Sequence, residues 1–505
     1  MAGDSHIIRE VGNLERLSTA RHSLGIYRCV IVTARYCNGN FDSEASFKSF
    51  FFSALSRVVL RHPALCCGFV DEDKRDASFV GLREIDLNRV VRFQTYDSGD
   101  GPSYENGQRK LLEHEHLQLW EHLETNPGWR VVVSHLPQAD HETVKSQTSM
   151  MDVVFAFHHA VGDGLSGAVF HRSLLKELRS TTSTFDPTKP CTPLVQLPEK
   201  IELVEPVEKL LKFSFSLRFI CGFVFRALIP SWLLGKGPIW AGAQYYLSSP
   251  EEFKTHVRHF SIPQEQLKCI LSACKAKSVT LTGLLHGLHV TLLAQMVPDA
   301  DRLSGHTPYS LRRLIPKSEE EVAVQVSVLE IDFPSRFFRS SRNAAGSGEP
   351  DWEEVWKVAR YYGKLMQREV DRAPKDNVVG LLGFIGDYHD HYRKLLQKKR
   401  KSTYEISNIG VFGERACISS ADVHEDGSGW GIHSMIFTGS GMVTGPALGA
   451  TVVSVQGGPL SIAFTWQDGI FEEAFVDNFV DNLETSLREL SSKEEKVVSI
   501  LETPK

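Results

Sequence analysis

The run Phe155-Ala156-Phe157-His158-His159-Ala160-Val161-Gly162-Asp163-Gly164-Leu165-Ser166-Gly167 constrains the fold more than any other part of the chain. Met151 to Phe157 is an apolar stretch rich in Val and Phe, too short for an independent helix, and it reads as a buried strand. Glycines on both sides of Asp163 permit a tight turn, after which Leu165, Ala168, Val169, Leu175 and Leu178 recur at helical spacing. Strand side chains alternate in direction, so His158 and His159 leave the strand end on opposite sides and only one readily faces a cleft. A neutral imidazole with a pKa near ~6.5 is suited to taking a proton from a hydroxyl or thiol.

Phe47, Phe50, Phe51, Leu55, Val58 and Val59 predict a core-facing helix that stops before His62-Pro63, and Trp129 to Val133 predicts a second buried strand. Later, Thr282 to Met296 predicts a helix with a leucine face, and Phe475 to Leu490 a closing helix. Between them, Thr451 to Val455 and Leu460 to Trp466 predict a hairpin across Gln456-Gly457-Gly458-Pro459, while Arg339 to Pro350 reads as a polar loop. Two α/β lobes follow, over 1–186 and 246–505, joined by a less regular linker over 187–245.

Within the linker, Leu210 to Leu234 is the most apolar segment, but Lys212, Arg218, Arg226 and Pro230 interrupt it short of the ~18 uncharged residues a membrane span needs. Phe213, Phe215, Phe219, Phe223 and Phe225 beside basic residues suit a peripheral membrane contact or a cover over an apolar substrate entrance. A packed interlobe helix is the simpler expectation.

Composition removes several function classes. Lys and Arg number 56 against 62 Asp and Glu, so no cationic excess exists to neutralise a nucleic acid. Nine cysteines without a CxxC pair give neither a disulfide framework nor a zinc pattern, and with a polar N-terminal stretch they lead to the expectation of a reducing, cytoplasmic location. There is no GxxxxGK[ST] loop and no GxSxG elbow. Glu113-His114-Glu115-His116 lacks the second histidine of HExxH and reads as a solvated helix face. His286 and His289, and the Asp387, His389, Asp390, His391 cluster, read as structural or solvated, so no metal site is expected.

The HHxxxDG spacing resembles the signature of the CoA-dependent acyltransferase superfamily, which includes chloramphenicol acetyltransferase, plant BAHD enzymes and condensation domains. The chain is most similar to the fungal alcohol acetyltransferase family. Leu14-Glu15-Arg16, Arg21-His22-Ser23-Leu24-Gly25-Ile26-Tyr27, Arg61-His62-Pro63-Ala64-Leu65, Trp129-Arg130-Val131-Val132, Pro308-Tyr309-Ser310-Leu311-Arg312-Arg313 and Ile406-Ser407-Asn408-Ile409-Gly410 carry the likeness along nearly the whole chain. The plant string DFGWG is absent, and Ile436 to Gly441 occupies the comparable late position, which leaves the oxyanion donors unassigned.

The resemblance implies two chloramphenicol-acetyltransferase-like lobes with an active-site tunnel between them. It implies acetyl transfer from acetyl-CoA, a co-substrate rather than a bound cofactor, to the hydroxyl of a hydrophobic alcohol of fungal secondary metabolism. His159 would be the general base and Asp163 a structural carboxylate braced by Arg312 or Arg313, with His158 and Gly164 supporting the motif. Lys398, Lys399, Arg400 and Lys401 are candidates for the CoA phosphates, a solvated loop being the alternative. A monomer is expected, in the cytoplasm or peripheral to the endoplasmic reticulum or lipid droplets. The competing readings are a condensation-type enzyme with a carrier-bound donor, an N-acyltransferase, and a non-enzymatic binding homologue.

Overall fold

The computed structural model describes residues 6–38, 43–96, 103–135, 149–186, 188, 191–228, 237–247, 249–417 and 429–502. Pro230 and Leu234 lie outside them, as does the side chain of Arg226.

Ser149–Phe157 is the middle strand of a five-stranded sheet ordered Gly431–Gly439, Val30–Asn38, Ser149–Phe157, Trp129–His135, Val91–Thr95. A middle strand is covered on both faces, which explains the apolar run from Val153 to Phe157. Val153, Phe155 and Phe157 join the core that also holds the helices Glu44–Arg61 and Gly164–Thr182, whereas Val154 and Ala156 join a second cluster with Val257 and Ala463. Phe155 stacks on Phe170 at 3.7 Å between ring centroids, fixing the helix after the turn against the strand before it. Ser43 caps the Glu44–Arg61 helix by accepting from the Ser46 amide.

The second sheet has six strands, ordered Thr255–Ile262, Leu460–Gln467, Pro446–Gln456, Ser402–Arg415, Arg302–Ser310, Val326–Pro334. One face carries the core of the helices Leu281–Met296, Trp352–Arg372 and Glu473–Glu502, with Leu284, Leu288, Val355, Phe479 and Leu483 packed on Tyr404 and Ile406. Pro446–Gln456 and Leu460–Gln467 pair antiparallel as the hairpin. The two lobes do not divide cleanly along the chain: Gly431–Gly439 leaves the 246–505 segment and pairs antiparallel with Val30–Asn38 at the edge of the first sheet.

Three local expectations are corrected. Arg339–Asn343 is a short helix rather than loop. Glu115 and His116 are fully buried rather than solvated, because Arg92 and Arg130 pair with the Glu115 carboxylate and Thr438 and Ser440 bond the His116 ring. The linker forms the helix Leu217–Leu228, but it is not packed core: Leu217 is 79% exposed, and Ile220, Phe223, Val224 and Phe225 are also exposed. Among the described residues, no single helix is long and apolar enough to cross a membrane.

Candidate active site

His158 and His159 follow the last strand residue and diverge. The His158 amide donates to the Gly128 carbonyl, and its ring is wholly buried, turned away from the interlobe cavity. There its Nδ1 accepts from the Ala160 amide at 3.0 Å, so Nε2 carries the proton, which it donates to Glu72 Oε1 at 2.8 Å. His22 reaches the same carboxylate in the same manner, with Nε2 accepting from the Trp120 amide at 3.2 Å and Nδ1 lying 2.9 Å from Glu72. Burial opposes ionisation of Glu72, but the two imidazole donors outweigh it and hold the carboxyl down to about 2. These three side chains are the grouping among the described residues spaced for a metal ion. Both ring nitrogens facing Glu72 are protonated in this arrangement, so the group is a hydrogen-bonded clasp in which neither imidazole turns a lone pair to a cation.

His159 faces the other way. Its Nδ1 lies 3.1 Å from the Gly162 carbonyl oxygen and donates to it, which leaves the Nε2 lone pair for the cavity. Desolvation, with the Arg21 charge adding, lowers the imidazole to about 4, so the ring is neutral at physiological pH. The Tyr27 ring lies 5.7 Å from it, and Arg21 stacks on the other partner at 4.5 Å from the Tyr27 centroid.

The turn between strand and helix is held from the second lobe. Asp163 caps the helix by accepting from the Ser166 amide at 3.0 Å, and its other oxygen accepts from the Gln325 amide at 3.1 Å. Arg312 donates to Asp163 Oδ1 at 2.9 Å and to the carbonyls of Ser318, Glu321 and Ala323. Arg313 is exposed and bonds the Val370 carbonyl instead. Gly164 is closely packed, since a Cβ there would sit 2.7 Å from the Phe437 ring tip and 2.8 Å from an Ile409 methyl, both of which would have to shift.

A cavity of about 470 Å³ between the lobes is lined by His159, Asp163 and Gly164 from the motif and by Tyr27, Arg21 and Glu405 from elsewhere. Phe437, Gly439 and Ser440 from the crossing strand and the residue after it also line it. Ser440 Oγ is occupied by the backbone of Arg28 and Cys29, so it braces the wall and is not a free donor. Of the basic run, Arg400 is turned inward onto the carbonyls of Met442, Val443, Gly445 and Pro446, which fastens a loop that lines the cavity. Lys398, Lys399 and Lys401 are exposed.

Sequence reasoning placed Arg21 and Tyr27 only in a run that carries the family likeness, and missed Glu72 and Glu405 altogether. The HxxxD pattern covers one turn, and these side chains arrive from other segments; only the alternation of Tyr404, Glu405 and Ile406, an acid between two core residues, carries a local signal.

The same architecture occurs in solved structures. TRI3 trichothecene 15-O-acetyltransferase of Fusarium sporotrichioides superposes with a TM-score of 0.65 at 12% identity, over 95% of each chain. The first condensation domain of the calcium-dependent antibiotic synthetase superposes at 0.59 and 12% identity, over 97% of each. At these identities the likeness is one of fold, two chloramphenicol-acetyltransferase-like lobes. Among curated relatives, a probable alcohol acetyltransferase, FCK4 of Fusarium pseudograminearum, is 28% identical over 97% of both chains. A second, crmB of Aspergillus fumigatus, is 22% identical over 92% of this chain and 96% of its own. The family model for alcohol acetyltransferases matches residues 82–487, from before the histidine pair to within the closing helix, and on that match the chain belongs to the alcohol acetyltransferase family and is an acyltransferase.

Proposed function

We propose that the protein transfers an acetyl group from acetyl-CoA to the hydroxyl of a largely apolar alcohol, with His159 as the general base. The observation that carries this is the fixed tautomer: Nδ1 is held by Gly162, and Nε2 is the unprotonated nitrogen in the cavity. Nε2 removes the proton of the acceptor hydroxyl as its oxygen attacks the thioester carbonyl. The tetrahedral adduct collapses with rupture of the carbon–sulfur bond, and the imidazolium returns the proton to the CoA thiolate. No acyl-enzyme is formed, and enclosure of both substrates supplies the proximity term. Lys398, Lys399 and Lys401 are the basic-run residues free to meet CoA phosphates, since Arg400 is committed to carbonyls. Incubation of the purified enzyme with acetyl-CoA and a panel of alcohols and amines, following free thiol and product mass together, tests the reading. Thiol release with amine products only, or release unchanged in His159→Ala, would overturn it.

The exposed Leu217–Leu228 helix supports a peripheral contact of the enzyme with an anionic lipid surface. Its apolar side chains stand beside the exposed Lys212 and Arg218. Phe384, 76% exposed, lies 6.4 Å from Phe215, at the end of the short helix whose Leu382 lines the cavity. An apolar acceptor dissolved in the lipid would then enter close to where the enzyme docks.

A further inference from the structure

The cavity wall opposite the histidine turn belongs to the second sheet, and its register brings three ionisable side chains into one row. His306 is paired directly with Glu330 on the antiparallel strand beside it and with Glu405 on the parallel strand on its other side. The row continues through Gly449, opposite Glu405, to Thr465, opposite Gly449. Residues directly opposite one another in a sheet share a face, and all five line the cavity. Tyr404 and Ile406 face the helical core, which commits Glu405 to the cavity side.

The row has a direction and a gap. The Glu330 side chain is 70% exposed and stands 4.0 Å from the largely covered His306, so this end is the mouth. Glu405 is further in, half-buried, and its carboxylate has no hydrogen-bond partner among the described residues. Desolvation raises its carboxyl to about 7 against the opposing charge of Arg21, and burial lowers His306. Beside Glu405, Gly449 leaves a recess that a Cβ would fill, at 3.0 Å from Thr465 Oγ1. This carboxyl faces the cavity with no donor on it from the described residues, so a ligand that displaces the solvent there must supply one. The rest of the enclosure is largely aliphatic, with Leu14, Leu17, Val326, Val328 and Leu382 among the lining.

We propose that the Glu330–His306–Glu405 row is an acceptor subsite that takes a second hydroxyl of the substrate, so that the preferred acceptor is a diol or polyol on an apolar skeleton. The proposal rests on the reading of the cavity as the site of hydroxyl acetylation. It refines the substrate class from an alcohol with one hydroxyl to one that the wall holds at one hydroxyl while His159 works on another. Glu405 accepts the hydrogen bond of the held hydroxyl, and Glu330 with His306 gives the mouth a polar lip. A hydroxyl fits better than a protonated amine, because the Arg21 guanidinium lines the same cavity and its charge repels an ammonium.

The test compares cyclohexanol and decanol with cyclohexanediol and decanediol, in two assays. Calorimetric titration without acetyl-CoA reads binding alone, and acetyl-CoA turnover reads kcat and KM. In buffer at pH 8, above the Glu405 value of about 7, the wild type is expected to favour the diols by about tenfold or more in affinity, the range of a hydrogen bond to a charged group. Glu405→Leu should erase that preference, and the near-isosteric Glu405→Gln should reduce it, with melting curves confirming that both are folded. A binding preference that Glu405→Leu erases, without any His159-dependent turnover, would uphold the subsite while removing the proposed activity. Equal affinity for diols and mono-alcohols in the wild type, a preference untouched in folded Glu405→Leu, a preference for aminodecanol alone, or a loss expressed only in the KM for acetyl-CoA would each overturn the proposal.

Discussion

Arg312 reaches from the second lobe to Asp163 in the first, Nη2 to Oδ1 at 2.9 Å, with both side chains almost wholly buried. Asp163→Asn would place an amide donor against either the Arg312 guanidinium or the Gln325 amide, both donors themselves. Leaving a buried charge unpaired costs about 3–5 kcal/mol. Urea unfolding of Asp163→Asn should show a loss of that order, with activity falling alongside as the turn shifts. Full stability with loss of the acidic limb of the pH–rate profile would point instead to a carboxyl that takes part in proton transfer.

His159→Ala should lower kcat by roughly two to four orders of magnitude, the usual share of a general base, while the melting temperature and acetyl-CoA affinity hold. His158→Ala should do the reverse in kind, since it removes one of two donors from the Glu72 carboxylate and leaves buried charge less satisfied. Thermal melts and steady-state kinetics on both variants separate the two. Interchanged effects would reverse the roles of the histidines.

The pH dependence has a definite sign. His159, His171 and His289 are each held down to about 4 and His116 to about 3, all chiefly by desolvation, against an ordinary 6.5. Between those values the folded protein binds fewer protons than the unfolded chain. Stability is therefore full above 6.5 and declines as pH falls toward about 4. The melting temperature should be flat above pH 7 and drop steadily below 6.5, and kcat/KM should keep its base in active form down to about pH 5. An activity midpoint near 6.5 in a protein still fully folded would contradict the buried, neutral His159.

Gly164→Ala adds a methyl into the contact with Phe437 and Ile409. Overpacking of this kind costs ~1–3 kcal/mol, and Phe437, a cavity-lining ring, is one of the two groups that must give way. A raised acceptor KM together with a lower melting temperature is expected; a variant with wild-type values for both would show that the turn has slack.

For lipid docking, Leu217→Ser with Phe223→Ser should abolish co-sedimentation with vesicles of phosphatidylserine and phosphatidylcholine and leave the melting temperature unchanged, because both side chains are exposed. Equal sedimentation of the variant would dismiss the helix as a lipid contact.

The strand, turn and helix around His159 were legible because each is announced by its own residues: a short apolar run rich in Val and Phe, paired glycines, then a period of 3.6. The divergence of the two histidines followed from the alternation of side chains along a strand. Burial of Glu115, on the helix Ser103–Leu117, was not legible, since what makes it tolerable is Arg92 and Arg130 on two strands. Glu72 stands in an acidic turn, Asp71-Glu72-Asp73, that reads as solvated; its partners His22 and His158 are distant in sequence. The Leu217–Leu228 helix misled in the opposite sense, because apolar periodicity does not distinguish a face covered by protein from one left bare.

Gly431–Gly439 also bears on how the protein is made. Its partner Val30–Asn38 emerges from the ribosome roughly 400 residues earlier, which at typical elongation rates is on the order of half a minute. Throughout that interval the nascent first sheet presents an open row of amides and carbonyls flanked by Ile31 and Val32, a template for pairing with other chains. A polypeptide ending before Gly431 contains every residue of the HHxxxDG turn yet lacks the strand that pairs along Val30–Asn38, so the histidine-bearing half depends on the late half to cover that row.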